Sequence, residues 1–144
     1  SGSDVARKLL ILARQIGWKM DIADIHVHNL VPAALRERTF SEKFFPRYAT
    51  YDRHMNNRIE RAQSRGSVLR YVGTLTNKRA SAALQEVPAH HPLASAKGSD
   101  NIIAFTTHRY SHTPLLIQGP GAGADVTAMG VFSDLLKLLH YLSN

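Results

Sequence analysis

Asp4 and Lys8 stand four residues apart in the opening stretch SDVARKLL, so in a helix one lies directly above the other on a single face. The bland reading is a surface ion pair, worth a few tenths of a kcal/mol. The chemical reading is a carboxylate that binds an amine or hydroxyl beside an ammonium that stays charged and donates a proton to a carbonyl oxygen as it becomes an alkoxide. A second candidate is Gln118 to Gly130, where an apolar strand enters a glycine-rich bend that opens straight into a helix. Gly119, Gly121 and Gly123 carry no Cβ to hold a ligand away, and the helix start offers unpaired N–H groups, a place for a phosphate. Gly119, Gly121 and Ala124 satisfy the loose dinucleotide spacing, but only 20 residues follow Ala124 in the 144-residue chain, too few for the βαβ unit that fingerprint needs. A tight strand-to-helix turn is the competing account.

Weaker candidates complete the set. His26 and His28 point to one strand face, and His90, His91, His108 and His112 are near enough in sequence to gather, so a histidine-only metal site is conceivable. Polar residues alternating on a half-solvated strand explain them as well, and no metal ligand is assigned. Lys97-Gly98-Ser99-Asp100-Asn101 ends a loop just before a strand, where such side chains cap, bind or simply turn. No Ser-His-Asp arrangement can be singled out.

These groups need a scaffold, and a chain of 144 residues with 44% hydrophobic residues is large enough to bury a core and fold as one unit. With no cysteine, disulfides and thiolate zinc sites are excluded. No apolar run is long enough to span a membrane and the first residues lack a signal-peptide layout, so a soluble, cytoplasmic protein is expected. The net charge of +7 owes much to Lys and Arg between Arg36 and Arg70, set against Glu37, Glu42, Asp52 and Glu60. Because Arg53, Arg58, Arg61 and Arg65 are mixed with acids and no aromatic platform is interleaved, a solvated helix face is expected and nucleic-acid binding is not.

Asp4 to Ile16 reads as an amphipathic helix with Val5, Leu9, Leu12 and Ile16 at the helical period, Ala6, Leu10 and Ala13 widening the stripe, Ser1 or Ser3 as its cap and Gly17 as its stop. Ile25 to Asn29 alternates as a short strand ending before Pro32. Ala33 to Phe45 has room for short helical turns, with Pro46 breaking any longer helix, and the three-or-four spacing from Tyr48 to Ala62 predicts a helix to about Arg65, closed by Gly66. Val68 to Thr76 and Arg79 to Val87 form a hairpin turning at Asn77 and Lys78. Pro88 to Asn101 is a loop; Ile102 to His108 and Leu115 to Gln118 are two more strands, joined across Ser111 to Pro114. The last helix, Asp125 to Leu142, is apolar on most of its circumference, so burial on two sides is expected. The pattern predicts an α+β fold with a mixed or antiparallel sheet of about five strands covered by helices.

Three stretches taken together resemble the signatures of homoserine dehydrogenases: Ser1 to Lys8, with Gly2-Ser3-Asp4-Val5-Ala6-Arg7-Lys8 as its motif, the Lys97 to Asn101 loop, and Gln118 to Val131. The likeness continues through Leu30-Val31-Pro32, Val68 to Gly73 and His91-Pro92-Leu93-Ala94, and the wording is most similar to the C-terminal end of the bifunctional aspartokinase and homoserine dehydrogenase type. The resemblance implies an NAD- or NADP-dependent oxidoreductase interconverting L-homoserine and L-aspartate 4-semialdehyde in threonine and methionine biosynthesis. It places Asp4 on the family's homoserine-binding aspartate, Lys8 on its proton-donor lysine and Gly123 on the tail glycine that touches the nicotinamide cofactor. It also implies that residues 1–144 are the catalytic (substrate and dimerisation) domain of a homo-oligomeric enzyme, that the Rossmann domain lies upstream, and that the fragment alone is inactive. The alternatives are a non-catalytic amino-acid-sensing α+β module, revealed by a thermal shift with no preference for homoserine, or a basic nucleic-acid-binding domain, revealed by salt-dependent oligonucleotide binding.

Overall fold

A computed structural model of the chain describes residues 2–36 and 44–143. They divide into two compact units, Ser1–Ala89 and His90–Asn144, in place of the single unit expected. The division falls just after Pro88, which ends a strand and carries no N–H to extend the ladder.

The first unit is built on helix α1, Ser3–Gln15. Its buried line is Ala6, Leu9 and Ala13, with Val5 and Leu10 packed at its margins, whereas Ile16 of the expected stripe is 58% exposed. The shift follows from what lies beneath: two buried alanines and a glycine on the sheet let the helix approach closely. The helix begins on Gly2, so Ser3 is its first residue and not its cap, while Ser1 lies outside the described residues. It ends as expected at Gly17, whose positive φ of 78° accompanies bonds from Gly17 N to Arg14 O and from Trp18 N to Ala13 O.

Strands β1 (Ile25–Val27), β2 (Ser67–Thr76) and β3 (Arg79–Pro88) form a sheet in the order β1-β3-β2. β1 runs parallel to β3, and β2 pairs antiparallel with it. The hairpin turns at Asn77 and Lys78, both at positive φ (48° and 59°), the twist that suits a two-residue turn between right-twisted strands. Gly73 faces Ala82 across the ladder, and a Cβ on Gly73 would lie 2.8 Å from the Val5 Cγ1 atom of α1. Helix α2, Phe44–Ala49, contains Pro46 in its first turn, where no intrahelical N–H bond is required, so the proline does not break it. A separate helix α3, Asp52–Ser64, follows; the one helix expected from Tyr48 is interrupted at Thr50 and Tyr51. α3 buries Ala62 and stops at Gly66. Of the short turns expected over Ala33 to Phe45, a 3-10 turn covers Ala33–Leu35, and 37–43 lie outside the described residues.

The second unit pairs β4 (Asp100–Phe105) with β5 (Leu115–Pro120) as an antiparallel ribbon, followed by helix α4, Ala124–Leu142. The expected loop from Pro88 to Asn101 includes a 3-10 turn at Pro92–Ser95, and β4 begins inside it. The α+β class and the five strands stand as read from the sequence, but the strands form sheets of three and two and not one sheet. Helix α4 departs most from expectation. None of its described residues is buried: Leu135, Leu136 and Leu138 are 50%, 51% and 52% exposed. Its apolar circumference asks for covering surfaces that the β4–β5 ribbon is too narrow to supply.

Candidate active site

The Asp4–Lys8 spacing gives the geometry anticipated for it. Lys8 Nζ lies 2.9 Å from Asp4 Oδ2, with the two side chains 52% and 76% exposed. An ion pair this open contributes little to stability. Its value is placement: the helical period puts the pair on the side of α1 roughly opposite the buried line of Ala6, Leu9 and Ala13, so the core fixes the helix while both charged ends stay accessible to a ligand. Asp4 is also in the first turn of α1, where the helix dipole favours a carboxylate.

The entry to α1 is held by residues that spacing alone did not single out. Gly2 has φ +84°, and a Cβ there would overlap the Tyr71 hydroxyl and approach Val27 Cγ1 to 2.8 Å. The Tyr71 hydroxyl lies 2.8 Å from His28 O and 3.2 Å from Ala82 O, sharing its proton between the end of β1 and the centre of β3. Burial raises the Tyr71 pKa above its ordinary value of 10.0 by penalising the phenolate, so it is a donor at neutral pH. Tyr71 thus braces the glycine from which the Asp4–Lys8 helix starts. The available signal was its place in the Val68 to Gly73 stretch, whose alternation pointed only to a strand.

In the second unit the Lys97 to Asn101 loop and the glycine bend are brought together by strand pairing. Asp100 is opposite Pro120 and Asn101 opposite Gly119. Gln118 Nε2 donates to Asp100 Oδ2 at 3.0 Å, and Gly121 N donates to Ser99 O at 3.1 Å. A Cβ on Gly121 would fall on the Asn101 side-chain amide. Gly123 differs from its neighbour: no atom lies within 4 Å of where its Cβ would be, but its φ of +136° disfavours any L side chain. Its carbonyl accepts from Thr127 N at 3.0 Å and Thr127 Oγ1 at 2.9 Å, which starts α4. The bend therefore has a tight inner side against Asn101 and an open outer side at Gly123, an approach a flat ligand can use without meeting a side chain.

Of the remaining candidates, His91 has a structural role. His91 Nδ1 accepts from Leu93 N at 3.2 Å to form a turn, and among the described residues no three His, Asp or Glu side chains gather as metal ligands. Of the charges around α3, Arg65 pairs with Glu86 at 2.6 Å, and Glu37 and Glu42 lie outside the described residues. A shallow hollow of about 560 Å3 at the far end of α1, lined by Arg14, Trp18 and Asp21 among others, is remote in the helix from Asp4. Its Arg14 and Asp21 satisfy each other at 2.7 Å. No helix of the described residues is long and apolar enough to cross a membrane.

Comparison with known proteins identifies the family of the chain. A chloroplastic bifunctional aspartokinase/homoserine dehydrogenase 2 of Arabidopsis thaliana is 48% identical over 144 residues, covering 99% of this chain and 16% of the relative. A homoserine dehydrogenase of Paracoccidioides brasiliensis is 43% identical over 145 residues, covering 99% of this chain and 39% of its own length. Among solved structures, a putative homoserine dehydrogenase from Archaeoglobus fulgidus superposes with a TM-score of 0.69 at 27% identity, over 95% of this chain and 35% of that one. The chain thus spans less than half the length of each. The family model described as homoserine dehydrogenase matches residues 1–136, taking in Asp4, Lys8, the Lys97 to Asn101 loop and Gly123, and the chain belongs to that family.

Proposed function

We propose that this chain carries the proton-donating and substrate-binding side of an NAD- or NADP-dependent homoserine dehydrogenase, which interconverts L-homoserine and L-aspartate 4-semialdehyde in threonine and methionine biosynthesis. The observation that carries the proposal is the Asp4–Lys8 pair, held at 2.9 Å on an exposed helix face inside the family match. Asp4 binds the polar end of the substrate and orients its carbonyl. Lys8 sits within reach of the same ligand; its ammonium stabilises the alkoxide that develops on reduction and delivers the proton to that oxygen. In the reverse direction the Lys8 amine accepts the hydroxyl proton.

The nicotinamide cofactor supplies the hydride when bound. On this side of the reaction Gly123 offers it an open backbone surface, and the remainder of its site is assigned to a dinucleotide-binding domain elsewhere in the polypeptide. The plant relative, at 48% identity, is a bifunctional enzyme of which this chain covers 16%, which supports a longer parent protein. We assign that parent a homo-oligomeric state, no affinity for nucleic acid and no membrane association. We place it in the cytoplasm, whereas the plant relative is chloroplastic; imaging of the tagged whole protein tests the compartment.

Replacing Lys8 tests the mechanism. Lys8→Ala in the whole enzyme is expected to lower kcat by about 100-fold or more while the dinucleotide KM hardly moves, as for loss of a positioned proton donor. An unchanged kcat would return the pair to a surface ion pair.

A further inference from the structure

We propose that Asn101 is a positioning residue for the dinucleotide: its side-chain amide, seated where Gly121 lacks a Cβ, sets the path of the glycine bend and so the place of Gly123. The inference rests on the reading that Gly123 touches the cofactor. Three observations converge on it. First, the bend is pinned at two further points, Gly121 N to Ser99 O at 3.1 Å just before β4 and Gln118 Nε2 to Asp100 Oδ2 at 3.0 Å at its first residue, so Asn101 acts inside an already registered pair of segments. Second, a Cβ on Gly121 would coincide with Asn101 Nδ2 and lie 2.7 Å from its Cγ, so the amide and a methyl group at position 121 compete for one space. Third, Gly121 is not among the glycines at positive φ, so what a side chain there would meet is the Asn101 amide and not a strained backbone.

The chemistry of the loop follows. Asn101 packs its amide against the inner side of the bend, and two residues later Gly123 turns at φ +136° to begin α4. A displacement of Gly121 is carried through one intervening residue to the glycine at the helix start. Where Gly123 touches the cofactor, a displacement of about 1 Å is enough to lose much of its positioning. Asn101 does not need to touch the cofactor for this effect.

Competition for one space makes a specific test possible. Gly121→Ala evicts the amide, and Asn101→Ala deletes it, so the two variants should fail alike, each raising the dinucleotide KM by about fivefold or more with the homoserine KM near wild type. The double variant Asn101→Ala/Gly121→Ala should be no worse than either single one, because nothing remains to be evicted. Steady-state kinetics of the four whole enzymes, with thermal melting to confirm that each is folded, measures this. Losses that multiply in the double variant overturn the proposal, as does a native dinucleotide KM in Asn101→Ala. Gly123→Val, measured in parallel, separates the two levels. If it impairs cofactor binding while Asn101→Ala does not, only the positioning role fails; if a folded Gly123→Val enzyme also binds normally, the cofactor reading beneath it fails too.

Discussion

At the scale of single residues, Gly121 and Gly123 oppose a side chain for different reasons. Gly121 has a neighbour and an ordinary backbone; Gly123 has open space and a positive φ. A valine at Gly123 therefore meets strain first, costing about 1 kcal/mol or more, and in the cofactor reading also meets the ligand. Gly123→Val in the whole enzyme is expected to raise the dinucleotide Kd by roughly tenfold or more, beyond what melting attributes to strain, with homoserine affinity changed less. Titration and melting of the same mutant check it; a destabilised enzyme with native affinity would leave only a turn. Tyr71 supplies a second residue-scale outcome. Its hydroxyl bonds to His28 O and Ala82 O under the start of α1, and burial raises its pKa. The folded state thus holds this proton more tightly than the unfolded chain, so the contribution is complete below the unfolded pKa near 10.0 and is lost as pH rises through the higher folded value. Tyr71→Phe should cost about 1 kcal/mol at neutral pH and flatten the alkaline fall in stability. Chemical denaturation at neutral and alkaline pH decides it, and an equally steep alkaline fall in the mutant would count against Tyr71.

At the scale of elements, α1 shows what the sequence could and could not disclose. The helix, its Gly17 stop and the Asp4–Lys8 face follow from the 3.6-residue period and were legible. Ala6, Leu9 and Ala13 all lie within the apolar band that periodicity admits, but the centre of the band was not legible, because the choice within it is made by the opposing surface. Here that surface is Gly73, Ala80 and Ala82, small enough for the backbones to come close, so Ala6, Leu9 and Ala13 are buried and Ile16 is not. Gly73→Val should push α1 from the sheet and destabilise the protein by about 1–3 kcal/mol, the usual cost of overpacking. Because Asp4 and Lys8 ride on this helix, kcat should fall in the folded fraction as well. Urea melting and kinetics on one sample test both, and an unchanged melting curve would mean that the Val5 and Leu9 side chains move aside freely. Interruption of the helix at Thr50 and inclusion of Pro46 in α2 were likewise hidden, since a proline in a first turn costs no bond and looks, in sequence, like one that breaks a helix. The meeting of the Lys97 to Asn101 loop with the bend was hidden too, because apolar patterning stops at Ile102 and Gln118, two residues short of the ends of β4 and β5, and antiparallel register decides who faces whom.

At the scale of the molecule, the proposed function divides its groups between the two units. The first has the Asp4–Lys8 pair and the second the glycine bend and the loop that grips it. A dinucleotide needs more than one glycine surface: its phosphates, ribose and ring are ordinarily held along a parallel sheet, and the sheets here are a three-stranded mixed one and a two-stranded ribbon. The rate advantage of such an enzyme depends on fixing hydride donor and acceptor within about 3–3.5 Å, and a weakly held cofactor loses most of it. The exposure of α4 points the same way. Leu135, Leu136, Leu138, Leu139 and Leu142 are all at least half exposed, a surface expected to be covered in a working enzyme. The isolated 144-residue chain is therefore expected to form its secondary structure yet show no homoserine oxidation above background with NAD or NADP. Circular dichroism and a cofactor-coupled absorbance assay on the purified chain measure the two halves of this statement. Robust turnover would require that the described units already hold a dinucleotide tightly, and the assignment of most of its site to another domain would then be wrong.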